Sequence, residues 1–376
     1  MALKIAVLKE TNEFEARVAA TPEAVKKYIA KGLTVTVTSG AGTAASYPDK
    51  EYEAAGATMA TDNDKSAKDA DIILCVQAPE TLPKSKDGAL LIGMLSPYAG
   101  KERVGKFADA KLTAISMELV PRITRAQAMD VLSSQSNLAG YKAVLEAAAY
   151  YTKAFPMMMT AAGTVPPARV FVMGAGVAGL QAIATARRLG AVVSAYDVRP
   201  SSADEVKSMG ATFIELELES LEGAGGYARE MTEERAAKQR ELLTPYIAKS
   251  HVVITTAAVP GRTAPRLMTA AMVDAMEEGT VIVDLAAETG GNVEGSKPGE
   301  IVTTSKGVRI WGGKDVPSQL PFHASSLYSR NVVNLLTLMT KPASEGVEVS
   351  LDLNFEDEII DGSAVTHAGV DRKAGK

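Results

Sequence analysis

The run Arg-Val-Phe-Val-Met-Gly174-Ala175-Gly176-Val177-Ala178-Gly179-Leu-Gln-Ala places three glycines at a spacing suited to holding a pyrophosphate. Gly174 permits a tight turn, Gly176 lets phosphate approach the backbone, and Gly179 lets the next helix pack close to the preceding strand. Arg169–Met173 reads as that strand and the Ala-rich run from Val177 to Leu189 as that helix, whose first amides and positive dipole end would serve the phosphates. The next strand, Val192–Tyr196, ends at Asp197, 21 residues beyond Gly176. An acidic side chain there accepts from the adenosine ribose hydroxyls, with Val198 and Arg199 beside it. A carboxylate repels a 2′-phosphate, which favours NAD(H) over NADP(H), although Arg199 tempers the preference. The competing reading is a glycine-rich turn in a doubly wound sheet that binds nothing.

A second chemical cluster is Pro121-Arg122-Ile123-Thr124-Arg125-Ala-Gln127-Ala-Met-Asp130-Val-Leu-Ser133-Ser-Gln-Ser136-Asn137. Arginine pairs bidentately with phosphate or carboxylate, and Gln or Ser can bond a carboxamide such as that of nicotinamide. The alternative is a helix-capping region, with Ser136 or Asn137 as N-cap and Arg122–Asp130 as a structural ion pair. A glycine-rich segment, Glu222-Gly-Ala-Gly-Gly226-Tyr227-Ala, reads either as a hinge that lays Tyr227 over a ligand or as a surface loop. A dehydrogenase of alcohols or amines also moves a proton, usually through His or Lys. None of the three histidines (His251, His323, His367) has a recognisable catalytic setting. Hydride exchange between two nicotinamides needs no protein acid or base, because the cofactors carry the chemistry.

The elements that must position these groups alternate. Lys4–Leu8, Thr34–Thr38, Asp71–Val76, Ala89–Leu95 and Leu112–Met117 are predicted strands, with helical stretches such as Pro22–Lys31 after the N-cap Thr21. A long connector helix is expected over Asn137–Phe155. A second series follows at Arg169–Met173, Val192–Tyr196, His251–Thr255, Thr280–Leu285 and Val308–Trp311, then a last helix at Phe322–Met339. His367–Lys376, small, polar and charged, reads as a flexible tail. Strand–helix alternation predicts α/β architecture: two Rossmann-like doubly wound parallel sheets joined by long helices, with an NAD site in the interdomain cleft. The expected division is 1–136, completed by 320–376, and a nucleotide-binding domain at 137–319.

Composition removes other classes. At 376 residues the chain is long enough for two or three domains. A net charge of -5 gives no basic footprint for nucleic acid. The single cysteine, Cys75, excludes an internal disulfide framework, and the scattered histidines argue against a zinc site, so no metal is expected. The uncharged stretch 154–168 is broken by Pro156, Pro166 and Pro167 and is too short to span a bilayer. The N-terminus lacks a signal-peptide pattern, so the chain is expected in the cytoplasm.

Over nearly its whole length the sequence resembles the alanine dehydrogenase/transhydrogenase family, and within it the NAD(H)-binding component (domain I, or alpha-1 subunit) of proton-translocating, Si/Re-specific NAD(P) transhydrogenase. The resemblance rests on 122–141 (RITRAQAMDVLSSQSNLAGY), 155–168 (FPMMMTAAGTVPPA), Gly174–Gly179 and 224–228 (AGGYA). Lys9-Glu10 and the run from Arg17 to Glu23 are similar to both branches. Alanine dehydrogenases carry a substrate Lys in the strand that here reads 73–77 and a catalytic His where this chain reads 94–97; Cys75 and Ser96 fill neither role, and their late-strand Asp corresponds to Glu288. The resemblance implies that Arg122, Gln127, Asp130 and Ser133, with Ile123, Thr124 and Arg125, surround the nicotinamide and its ribose, and that Gln127 reaches toward the partner's nucleotide. It assigns the pyrophosphate to Gly174–Gly179, the adenosine ribose to Asp197, and a mobile closing loop to Gly226 and Tyr227, with Gln239 behind it and Ala258 on the adenine side. It further implies a homodimer, NADP(H) on a partner component, and a membrane-spanning component that moves protons, with this chain peripheral on the inner face. A free amino-acid dehydrogenase and a non-catalytic NAD-sensing module are the rival readings.

Overall fold

The computed structural model describes residues 2–218, 231–259, 261–342 and 348–373. The chain forms two compact units, Met1–Gln135 with Pro317–Lys376, and Ser136–Val316. Each is built on its own doubly wound sheet, as the alternation of elements predicts.

In the first unit, β1 (Lys4–Val7), β2 (Thr34–Thr38), β3 (Thr58–Ala60), β4 (Ile72–Gln77), β5 (Leu90–Met94) and β6 (Thr113–Ser116) are parallel in the order β3-β2-β1-β4-β5-β6. The strands are apolar on both faces because both are covered. In β1, Ile5 and Val7 enter one core cluster and Ala6 the other. The helix Pro22–Ala30 starts where Thr21 accepts the Ala24 amide. A short ribbon pairs β16 (Thr340–Lys341) with β17 (Ser350–Leu351), and β18 (Ala364–His367) and β19 (Val370–Asp371) extend the sheet antiparallel beyond β6. This corrects the expected tail over its described residues, 367–373. Small, polar composition suggested mobility, but Thr366 Oγ1 donates to the Leu112 carbonyl and the Arg372 guanidinium lies 4.2 Å over the Phe355 ring. His367 Nδ1 sits 3.0 Å from Thr113 Oγ1.

The second unit carries a two-stranded ribbon, β7 (Met158–Thr160) with β8 (Gly163–Val165), and a seven-stranded sheet. Its strands are β9 (Arg169–Met173), β10 (Val192–Tyr196), β11 (Thr212–Phe213), β12 (Val252–Thr255), β13 (Val281–Asp284), β14 (Ile301–Thr303) and β15 (Arg309–Gly312). The order is β11-β10-β9-β12-β13-β15-β14, all parallel except β14. In β9, Val170 and Val172 enter one core and Phe171 and Met173 the other. In both sheets the strand order reverses beside the first strand of the sheet, β1 and β9, which is where open α/β sheets place ligands.

The connector helix runs over Val131–Tyr150, not Asn137–Phe155. Its start lies six residues earlier because Asp130 caps it: Oδ1 accepts the Ser133 amide at 2.9 Å and Oδ2 the Ser133 hydroxyl at 2.6 Å. Ser136 and Asn137 are therefore interior residues, not caps. No helix among the described residues is long and apolar enough to cross a membrane.

Candidate functional site

The loop between β9 and the helix Val177–Arg188 is shaped by its glycines. Gly174 has φ +102°, which a side chain rarely adopts, and a Cβ there would meet Thr256 Oγ1 at 2.5 Å. A Cβ on buried Gly179 would fall inside the carbonyl oxygen of Gly174. Around a Cβ on Gly176, by contrast, no atom lies within 4 Å, and Gly176 and Val177 are exposed. The turn is thus closed on the sheet side and open at the helix N-terminus, where the free amides of the first turn lie. A bound phosphate fits that opening.

Asp197 is buried at the end of β10, and its carboxylate ties the loop down. Oδ2 accepts the Ala175 amide at 2.7 Å, and Oδ1 accepts the Arg199 amide at 2.9 Å and Nε at 2.8 Å. Arg199 Nη2 donates to Oδ2 at 2.9 Å, so all four acceptor positions of the carboxylate are in use. Val198 is half-buried and Ala258 exposed. Gln239 is buried on the helix Glu233–Ala248, where its Oε1 accepts from Tyr196 Oη at 2.9 Å and Arg235 Nη1 at 3.1 Å. Gly226 and Tyr227 lie outside the described residues.

Three contributors to this loop carry no signature in the sequence. Gly140, on the connector helix, allows that helix to lie against the glycine loop, since a Cβ there would fall inside the Ala178 carbonyl. Thr256 Oγ1 donates to the Gly174 carbonyl at 3.1 Å. Asn292 clamps Ala257, accepting its amide at 3.1 Å and donating to its carbonyl at 2.8 Å. The available hints were a glycine inside a helical run at Gly140 and a polar residue just after a strand at Thr256; Asn292, between β13 and β14, gave none.

In the first unit, Arg122, Thr124, Arg125 and Gln127 are exposed, and Ile123, Asp130 and Ser133 are half-buried. Arg122 Nε approaches Asp130 Oδ2 at 3.9 Å. Asp130 and Ser133 form the helix cap described above. Arg125 instead faces Asp357, donating to its two carboxylate oxygens at 2.7 and 3.0 Å, and this guanidinium holds the Asp357 carboxyl below its usual range. Gln127 stands on the 3₁₀ turn Thr124–Met129. The segment therefore offers fork-shaped and amide groups with no acid–base pair.

Where the first sheet reverses, polar side chains that follow β1 bond one another and the end of β4. Buried Arg17 donates through Nε and Nη2 to Glu15 at 2.7 and 2.6 Å and through Nη1 to Gln135 Oε1 at 2.8 Å. Gln77 Nε2 adds a bond to Glu15 Oε2 at 2.8 Å. Burial would raise the Glu15 carboxyl, but the bonds from Arg17 outweigh it and hold the pKa low. Glu10 accepts the Val76 and Gln77 amides at 2.6 and 3.2 Å, yet burial pushes it up to about 8. Burial also lowers His251, whose Nδ1 accepts the Arg169 amide at 3.1 Å beneath a stacked Tyr151 ring.

The model of the alanine dehydrogenase/PNT N-terminal domain matches residues 6–139, and that of the alanine dehydrogenase/PNT C-terminal domain matches 143–373. The chain is 48% identical over 377 residues to the first part of NAD(P) transhydrogenase subunit alpha of Rhodospirillum rubrum, covering 98% of this chain and 97% of that one. It is 28% identical to alanine dehydrogenase 1 of Staphylococcus aureus, covering 97% and 95% of the two chains. The crystal structure of transhydrogenase from Sinorhizobium meliloti superimposes with a TM-score of 0.88 at 49% identity, covering 98% of this chain and 99% of that one. With both halves matched and close relatives spanning its length, the chain belongs to the alanine dehydrogenase/PNT family of oxidoreductases.

Proposed function

We propose that this chain is the NAD(H)-binding subunit of a proton-translocating, Si/Re-specific transhydrogenase. Its partner component holds NADP(H), and a membrane-spanning component moves the protons. The observation that carries the reading is the nucleotide loop: shut around Gly174 and Gly179, open over Gly176. The likeness to a relative named as a transhydrogenase alpha subunit supports it. When bound, NAD(H) supplies the carbon that gives or takes the hydride.

The chain's own residues position. The amides at the start of the helix Val177–Arg188, with Ala175, Val177 and Ala178 lining the turn, take the pyrophosphate. Asp197, flanked by Val198, takes the adenosine ribose hydroxyls in place of its bonds to Arg199. The carboxylate itself repels a 2′-phosphate, which supports NAD(H) over NADP(H), and the Arg199 guanidinium beside it tempers the preference. Arg122, Gln127, Asp130 and Ser133, with Ile123, Thr124 and Arg125, serve the nicotinamide end. Gln239 stands on the helix Glu233–Ala248, and Ala258 lines the adenine side.

The decisive assay is hydride transfer from NADPH to an NAD analogue, with this chain alone, with an NADP(H)-binding component alone, and with both. Activity only in the mixture is expected. No activity there, with NADH bound, would return the chain to an NAD-sensing role. In the mixture, Gln127→Ala should slow transfer about tenfold or more while NADH affinity changes little, because alignment and not anchoring is lost. Equal losses in both would make Gln127 an anchor. The alanine dehydrogenase reading is disfavoured by buried Cys75 and by Ser96, which stand where that branch carries its substrate Lys and catalytic His. NADH turnover by the chain alone with pyruvate and ammonium would revive it.

A homodimer, peripheral on the inner face of the membrane through its partner subunits, completes the proposal. The β7–β8 ribbon supports self-association: Met157, Met158, Met159 and Val165 are exposed together, with Met159 at 78%. Met159→Asp should shift the chain from dimer to monomer in sedimentation. An unchanged dimer would place the interface elsewhere.

A further inference from the structure

The 3₁₀ turn that carries Gln127 is held from the helix Pro321–Leu338. Asn331 Nδ2 donates to the Ala128 carbonyl at 2.8 Å, and Asn334 Nδ2, three residues on and on the same helix face, donates to the same oxygen at 3.0 Å. Asn331 is buried, and its Oδ1 accepts the Ser134 hydroxyl at 2.8 Å. Ser134 Oγ accepts from Gln135 Nε2 at 3.3 Å, and Gln135 Oε1 accepts from Arg17. One run of hydrogen bonds thus leads from the buried Glu15–Arg17 pair, across the first turns of the connector helix, to the Ala128 carbonyl on the turn that carries Gln127.

We propose that Asn331 is a positioning residue for hydride transfer: it fixes the Ala128 carbonyl and so the 3₁₀ turn that presents Gln127. The inference rests on the transhydrogenase reading. Gln127 itself is exposed, so nothing packed around its side chain fixes it. Its placement must come from the backbone, and on that turn the next residue's carbonyl takes two side-chain donors. Asn331 is suited to the task because both ends of its amide are used, which locks its rotamer. An aspartate of the same shape would still accept from Ser134 but would face the Ala128 carbonyl with an acceptor.

The test compares Asn331→Asp, Ser134→Ala, Gln127→Ala and the double variant Asn331→Asp/Gln127→Ala with the unmodified chain, each mixed with the NADP(H)-binding component. Asn331→Asp should lower the transfer rate about tenfold with little change in NADH affinity. The double variant should lose no more than Gln127→Ala alone, since both changes act at one point. Hydrogen exchange of the amides in 124–129 should quicken about tenfold in Asn331→Asp, with the remaining core unchanged. If Asn331→Asp does not fold, Ser134→Ala carries the same comparisons with a smaller expected loss of roughly threefold, since it leaves both bonds to Ala128 while removing the bond that orients Asn331, together with those to Gln135 and Val131. Wild-type transfer rates in the variants, unchanged exchange over 124–129, or losses that multiply with Gln127→Ala would each overturn the proposal. Exchange needs no transfer activity, so an inactive wild-type mixture would sink the transhydrogenase reading while the clamp is still decided.

Discussion

Gly176→Ala should cost most of the NADH affinity and almost none of the stability, whereas Gly179→Ala should cost both. The two glycines are three residues apart, and intrinsic preference would treat them alike. The structure does not. Gly176 has an extended backbone, φ -79° and ψ -167°, that alanine adopts without strain, and a Cβ on it enters open space. The change in folding stability should stay within about 1 kcal/mol, the range of an N-cap glycine replaced by alanine. If a pyrophosphate lies over that backbone, the same methyl group occupies its place, and NADH affinity should fall tenfold or more, about 1.4 kcal/mol or above. At Gly179 the added carbon overlaps the Gly174 carbonyl and comes within 3.3 Å of Thr256 Oγ1. A backbone oxygen cannot step aside as a flexible side chain can, so helix and strand must separate at a cost of about 3 kcal/mol. NADH titration by fluorescence and urea unfolding of both variants check the pair. Gly176→Ala with unaltered NADH affinity would show that no dinucleotide lies on this turn, and would remove the observation on which the proposed function stands.

The same contrast shows what was legible in the chain. The nucleotide loop could be read because its chemistry is local: a strand of alternating Val and Phe, three glycines and an Ala-rich helix follow one another without interruption. Thr34–Thr38, Arg169–Met173 and Val192–Tyr196 were legible to the residue for the same reason, as short β-branched runs between turns. The start of the connector helix was not. Ser133, Ser134, Gln135, Ser136 and Asn137 are individually good capping residues, and a row of them gives no sign of which one caps. The decision is made by Asp130, whose carboxylate closes on Ser133. The C-terminal strands were hidden because Ala364–His367 is weakly apolar and owes its conformation to the open edge of β6. Arg125 illustrates the same limit within the candidate site. Its spacing among Arg122, Gln127 and Asp130 gives no notice of Asp357, 232 residues away. Contacts of that sequence separation were the part that could not be read, and they supply the Arg17–Gln135–Asn331 run as well.

Arg17→Met should destabilise the first unit by about 3–5 kcal/mol near neutral pH, the cost of leaving a buried charge without its partner. Methionine fills much of the volume of the arginine stem, so the loss would not come from a cavity. It would come from Glu15, whose side chain has no exposed surface and whose carboxylate takes two of its bonds from the Arg17 guanidinium. The pH dependence identifies the cause. In the wild type the Glu15 pKa lies below its ordinary 4.5, because the bonds from Arg17 outweigh burial. A depressed carboxyl contributes stability that is present above pH 4.5 and is lost as pH falls through the folded-state value. Without Arg17, burial prevails and the folded-state pKa rises above 4.5. Stability is then present below pH 4.5 and is lost as pH rises toward that raised value. The gap between wild type and variant should therefore widen from pH 4 to pH 7, by at most about 1.4 kcal/mol per pH unit. Glu10, pushed up to about 8, gives a fall in stability from pH 4.5 to 8, but it is present in both proteins and largely cancels in the difference. Adding Glu15→Gln to Arg17→Met removes the buried charge and should recover much of the loss, flattening the gap. Urea midpoints at pH 4, 5.5 and 7 for the three proteins decide it. A gap independent of pH would mean that Arg17 acts by packing alone.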